Sequence, residues 1–310
     1  MSNLNDTVIV SAKRTPVGSF QGSLSSFSAS DLGSLVIKAL VDEIKIEPNS
    51  IDEVIMGNVL SAGQGQAPAR QAAIKAGLPD SVECLTINKM CGSGLKAVML
   101  GAQSIQLGDA EIIISGGMES MSQSPYLLPN VREGLRLGHN NVIDSILVDG
   151  LWDVYNDKHM GSCAELCATE KNFSRKDQDL FAKESYNRAQ EAESKGLFND
   201  EIVPLNVNQR KGDPLCVDKD DEPLRANFKK MDLLKPVFKK NGTITAANAS
   251  KINDGAAALL LMSRGKANEL GLEIHANILG QSSSANDPEW FTTAPIGAID
   301  KVLEKSSLKV

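Results

Sequence analysis

The sequence predicts a layered α/β protein on a largely parallel sheet, and three observations carry that prediction. Short β-rich runs alternate with helical stretches through the first 117 residues, the pattern of strand–helix–strand units. Aromatics are scarce at 4%, while Gly, Ala, Ile, Val and Leu are plentiful, as in sheets buried on both faces. With 310 residues the chain exceeds one small core, so two or more lobes are expected.

The elements follow in order. Thr7–Ser11 reads as a strand, followed by a Ser- and Gly-rich loop to Ser30. Ser30 or Asp31 can cap a helix over LGSLVIKALVDEI, whose apolar residues recur at three- and four-residue spacing. Glu53–Val59 is a second strand, Ala67–Ala76 a second helix ended by Gly77, and Glu83–Ile87 a third strand. Gly94–Leu107 is a third helix and Glu111–Ser115 a fourth strand. From Met118 the alternation stops. MESMSQSPYLLPN is loop-like, and helices follow around Cys163–Lys171 and Lys176–Lys195, the second charged on most faces and therefore solvated. Residues 200–242 carry charge and Pro with little periodicity. A buried strand returns at Ala256–Met262, with a helix to Leu270, a strand at Ala276–Leu279 and a helix at Ile299–Glu304. The domains expected are a core lobe (1–117 and 251–271), an inserted lobe (118–250), and the opening of a second core lobe (272–310).

Net charge is −7, which argues against general affinity for nucleic acid or anionic membranes. No run of 18 apolar residues occurs, and MSNLNDTVIV carries no secretory pattern. Five cysteines without paired spacing fit a reducing compartment, here the cytoplasm. Cys163 and Cys167 share a helix face, but no second pair completes a zinc set, so packing explains them and no metal is expected.

The segment LTINKMCGSGLKAV carries the chemistry. A strand leads into Cys91, and Gly92, Ser93 and Gly94 open an apolar helix. A helix start favours negative charge, so it stabilises thiolate, the reactive form. Its amides could also hold a developing oxyanion. On these grounds alone an inert packed cysteine and a nucleophile are equally open.

INKMCGSGLKAV resembles the acyl-enzyme cysteine segment of thiolases. So, in thiolase order, do SAKRTPVGSFQGSL, GNVLSAGQGQAPARQAA, SGGMESMSQSPY, DGLWDVYNDKHMGSCAE, DEIVPL and GTITAANASKINDGAAALLLMS. The likeness spans essentially the whole chain. It implies the thiolase fold, a layered αβαβα core with an inserted loop lobe, the second core lobe being incomplete here. It also makes Cys91 the nucleophile.

RANFKKMDLLKPVFKK sets six basic residues against one acid. Alone it reads as a solvated face; the resemblance makes it the coenzyme A nucleotide grip, with Arg225, Asn227 and Lys230 at matching positions. TAANAS resembles the strip along the pantetheine arm, pointing to Ala247 and Ser250. His159 and Met160 lie in a segment like the acyl-pocket lining of short-chain members. His139 and His275 read as ordinary surface or core histidines.

The reaction implied is condensation of two acetyl-CoA to acetoacetyl-CoA and CoA, or the reverse thiolysis, with coenzyme A thioesters as substrates and no cofactor. Thiolases add a base in Gly-His-Pro, a second cysteine in a glycine-rich motif, and an asparagine in Asn-Glu-Ala-Phe. None occurs up to Val310. The 310 residues are therefore expected to be a C-terminally truncated, inactive form of a homodimer or homotetramer. Two rivals stand beside this reading: a ketoacyl synthase-type condensing enzyme, whose cysteine context differs, and a non-catalytic acyl-CoA binding protein of the same fold.

Overall fold

The computed structural model describes residues 6–310; the first five, counted above into the first core lobe, lie outside the described residues. Among the described residues, one compact unit comprises 6–125, 198–221 and 252–278. Its elements begin with β1 (Thr7–Arg14), α1 (Ala29–Ile44), β2 (Glu53–Gly57), α2 (Pro68–Lys75) and β3 (Glu83–Ile87). They continue with α3 (Ser93–Leu107), β4 (Ile112–Ser120), β5 (Asn253–Ser263) and β6 (Ala276–Asn277). With the short Gly18–Ser19 strand pairing β5, they form a seven-stranded sheet in the order β6-β1-β5-β4-β2-β3.

The expected parallel sheet is interrupted. β2 pairs in parallel with both β3 and β4, whereas β5 runs antiparallel between β1 and β4. The reason lies in where the chain returns. Asp254 pairs with Ser120, so β5 enters the sheet at the end where β4 left it and must run back. The strand ends also move. β4 reaches through Met118 to Ser120, residues expected in a loop, and β1 extends to Arg14.

Alternate residues of each strand feed two cores, which is why the strands read as continuous apolar runs. Ile112, Ile114, Leu260 and Met262 join α1 and α2 on one face. Ile113, Leu261 and Ile55 join Ala97 and Ile105 of α3 on the other. α1 begins one turn earlier than expected, because Ser28, not Ser30 or Asp31, is its cap. Asp31 is the third residue of that helix and accepts from the Ser28 amide, while Ser28 accepts from the Asp31 amide. Leu32, Val36, Ile37 and Leu40 are all fully buried, each contributing about 1.5–3 kcal/mol.

The expected domain boundaries need correction. Residues 198–221, assigned above to the insert, pack with the sheet unit, and so do 118–125 and 272–278. Arg14 explains the first of these. Its guanidinium binds both oxygens of Asp220 (2.8 and 3.1 Å) and Glu201 (2.6 Å), and its backbone bonds Glu201 and Val203. Leu205, Val207 and Val217 then enter the sheet core. The strand expected to open a second core lobe is β6, which pairs with the edge of β1.

The second unit comprises residues 126–197, 222–251 and 279–310, with α4 (Met160–Glu170), α5 (Arg175–Ser194) and α6 (Ala294–Ser306). α5 buries no residue, in line with its charge pattern. Among the described residues, no helix is long and apolar enough to cross a membrane.

Candidate active site

β3 delivers the chain to a tight turn over residues 88–93, and α3 begins at Ser93 with Gly92 as its cap. The turn is closed on itself. Ser93 Oγ donates to the Met90 carbonyl (2.6 Å) and accepts from the Lys89 amide (2.8 Å). Met90, the residue before Cys91, sits in left-handed backbone at φ 46°, a conformation that costs a non-glycine residue about 1–2 kcal/mol. It survives because the turn's hydrogen bonds over-determine it.

Glycines let this turn press into the sheet. A Cβ on Gly57 would stand 2.6 Å from Ser93 Cβ, and one on Gly117 3.3 Å from the Gly94 Cα. Cys91 is exposed and lines a cavity of about 340 Å³ with Arg14, Met90, Gly117, Met118, Glu119 and Ala256. One expectation needs correction. The Gly92 and Ser93 amides are already used by the Lys89 and Met90 carbonyls, at 3.1 and 3.0 Å, so these two do not await an oxyanion.

Glu119 is the residue that sequence reading missed. Its carboxylate accepts from the Val59 amide (2.8 Å), the Leu60 amide (3.1 Å) and Asn58 Nδ2 (2.8 Å). Burial pushes its pKa above the usual carboxylate range, and the two amides pull it part of the way back. An acid closing an apolar strand, as in GGMES, was the available signal.

The second unit holds the residues of the basic strip. Arg225, Asn227, Lys230 and Ala247 line one cavity of about 180 Å³. Ala247 and Ser250 line another of about 800 Å³, walled by Phe173, Phe181, Tyr186 and Pro223. Phe181, Ala182, Ser185 and Ala189 form one stripe of α5, so this solvated helix presents an apolar wall to a cavity. Arg175 positions both parts. It donates to the Met231 and Leu234 carbonyls and pairs with Asp179, which accepts from Asn248 Nδ2 (2.8 Å). Lys251 and Glu222 line both cavities, and neither was singled out from sequence because both fall outside the 225–240 strip.

His159 and Met160 line neither cavity. His159 caps α4, its Nδ1 accepting from the Gly161 amide at 2.9 Å, and its ring stacks on Phe238 at 4.8 Å. Burial lowers its pKa below the ordinary histidine value. Cys163 is buried in α4, as the packing reading expects. Cys91 thus belongs to the sheet unit, and the other predicted site residues to the second unit.

These features define a class: α/β proteins in which one unit carries a mixed sheet with an exposed thiol at a helix start and the other holds apolar cavities with basic side chains in their walls. Comparison with known proteins narrows this class. The profile of the thiolase N-terminal domain matches residues 7–265. An acetyl-CoA acetyltransferase of Pseudomonas aeruginosa is 50% identical over 98% of this chain and 77% of its own length. Acetyl-CoA acetyltransferase 2 of Arabidopsis thaliana is 51% identical over 99% and 77%. The crystal structure of Acat5 thiolase from Ascaris suum in complex with coenzyme A superposes with a TM-score of 0.93. It is 41% identical, covering 98% of this chain and 78% of that one. The chain belongs to the thiolase family, and by family it is an acyltransferase.

Proposed function

We propose that this protein is an acetyl-CoA C-acetyltransferase, condensing two acetyl-CoA to acetoacetyl-CoA and CoA, or running the reverse thiolysis. Cys91 Sγ attacks the thioester carbonyl, the C–S bond to CoA breaks, and an acetyl-cysteine remains with CoA released. A second acetyl-CoA, deprotonated at its α-carbon, then takes the acetyl group and frees the thiol. Arg225, Asn227 and Lys230 hold the nucleotide, and Ala247 and Ser250 flank the pantetheine arm. The observation that carries this reading is the exposed Cys91 on a strained turn at the start of α3. The names of the relatives support the substrate.

These 310 residues alone are expected to lack turnover. His139, His159 and His275 are their only histidines, none stands in a Gly-His-Pro motif, and His159 is engaged in capping α4. A missing general base typically removes about 10²–10⁴-fold in rate. Acetoacetyl-CoA thiolysis assays, run with limiting thiol alkylation mapped by mass spectrometry, test both parts. Expected are no turnover and first labelling at Cys91, slowed by added CoA. Labelling at Cys216 ahead of Cys91 would remove the nucleophile assignment. CoA binding with an unreactive Cys91 would favour a non-catalytic acyl-CoA binding protein.

A further inference from the structure

A chain of hydrogen bonds runs from Glu119 to the residue before Cys91, crossing three segments far apart in sequence. Glu119 Oε2 accepts from the Val59 amide at 2.8 Å, fixing the loop that leaves β2. The Val59 carbonyl accepts a long bond of 3.4 Å from Asn88 Nδ2. Asn88 Oδ1 in turn accepts from the Met90 amide at 3.0 Å. Met90 is the left-handed residue at φ 46° whose geometry aims the following side chain. A second tie braces the same loop, since the Asn58 amide donates to the Ile87 carbonyl at 3.0 Å.

We infer that Asn88 and Glu119 are positioning residues for Cys91. Glu119 sets the loop, the loop sets Asn88, and Asn88 holds the Met90 amide so that the strained turn presents the thiol. This rests on the reading of Cys91 as the nucleophile. The physical case is that a left-handed methionine relaxes unless its surroundings prevent it. Ser93 ties the Lys89 amide and the Met90 carbonyl, but the Met90 amide is held by Asn88. Without that acceptor the turn has a route to ordinary backbone, and Cys91 leaves the helix start.

The cysteines supply the controls. Cys216 is exposed and lies outside the network, while Cys84 is half-buried within β3 and reports on the integrity of the sheet. Limiting iodoacetamide, with adducts quantified by peptide mass spectrometry, is applied to the 310-residue protein and to Asn88→Ala, Glu119→Ala and Glu119→Gln. The unmodified protein should label Cys91 ahead of Cys216. Asn88→Ala and Glu119→Ala should slow Cys91 by roughly five- to tenfold, the scale of one lost hydrogen bond, with Cys216 and Cys84 unchanged. Glu119→Gln keeps one acceptor oxygen and should recover part of the rate. Variants that label Cys91 at the unmodified rate overturn the inference and leave the nucleophile reading intact. Variants in which Cys84 labelling rises with the loss at Cys91 also overturn it, since that is general opening of the sheet. If the unmodified protein shows no preference for Cys91, the nucleophile reading falls and this inference with it.

Discussion

A Cβ added at Gly116 would stand 2.0 Å from the Ala257 carbonyl oxygen, because β4 and β5 approach there with no room for a side chain. Backbone cannot give way as a flexible side chain does. Gly116→Ala should therefore destabilise the sheet unit by about 2–3 kcal/mol, read as a lowered urea midpoint; an unchanged midpoint would mean that the strands can part. His159 offers a test with a sign. Its folded pKa is lowered by burial, and its unprotonated Nδ1 accepts the Gly161 amide. The neutral form is thus favoured by folding, so the unfolded chain binds the proton more readily. The stabilisation is full above the unfolded value of about 6.5 and is lost as pH falls through the lower folded value. Thermal melts from about pH 7.5 to about pH 5 should fall more steeply for the native protein than for His159→Asn, which keeps a capping side chain without titrating there. Parallel slopes for the two proteins would rule out this role.

At the scale of elements, α5 shows how a helix with no buried residue still organises a site. Ser174 and Asp177 cap it reciprocally, and Arg175–Asp179 and Arg188–Glu184 run at i,i+4 spacing along it. Of these, Asp179 reaches beyond the helix, joining Arg175 to Asn248 next to Ala247. It lines neither cavity, yet it ties the TAANAS strip to α5. Asp179→Ala should cost about 1–3 kcal/mol of stability in the second unit by leaving two donors without their acceptor. It should also weaken CoA binding in a calorimetric titration. Normal CoA affinity in this variant would show that the strip holds its shape unaided.

For the whole molecule the contrast is between a net charge of −7 and a local basic strip. Long-range attraction for a polyanion is therefore weak, and recognition has to come from contacts within a Debye length. Arg225→Ala with Lys230→Ala should weaken CoA binding by about 1–3 kcal/mol and flatten its salt dependence. Unchanged affinity with an unchanged salt slope would move the nucleotide site elsewhere. The cavity that these side chains line also contains Glu222, so the strip acts as a local arrangement of charges and not as a uniformly positive face.

Much of this protein was legible in the residues themselves, wherever the physics is local. EVIMG, ECLTI and the helix after CGSG were read within a residue or two, because apolar spacing and glycine punctuation act over a few positions. Cys91 was visible for the same reason, as a strand, a thiol and small residues in succession. What only the tertiary structure decided depends on where distant segments meet. β5 reads as one more buried strand, but its antiparallel direction follows from re-entry beside Ser120. Residues 198–221 look like part of the insert until Arg14 claims Glu201 and Asp220. Likewise Glu119 carries no periodic signal, and its link to Cys91 passes first to Val59, 60 residues away in the chain, and then to Asn88, 29 residues from Val59. Local pattern specified the elements and the thiol; long-range hydrogen bonds, which no short window contains, specified how that thiol is held.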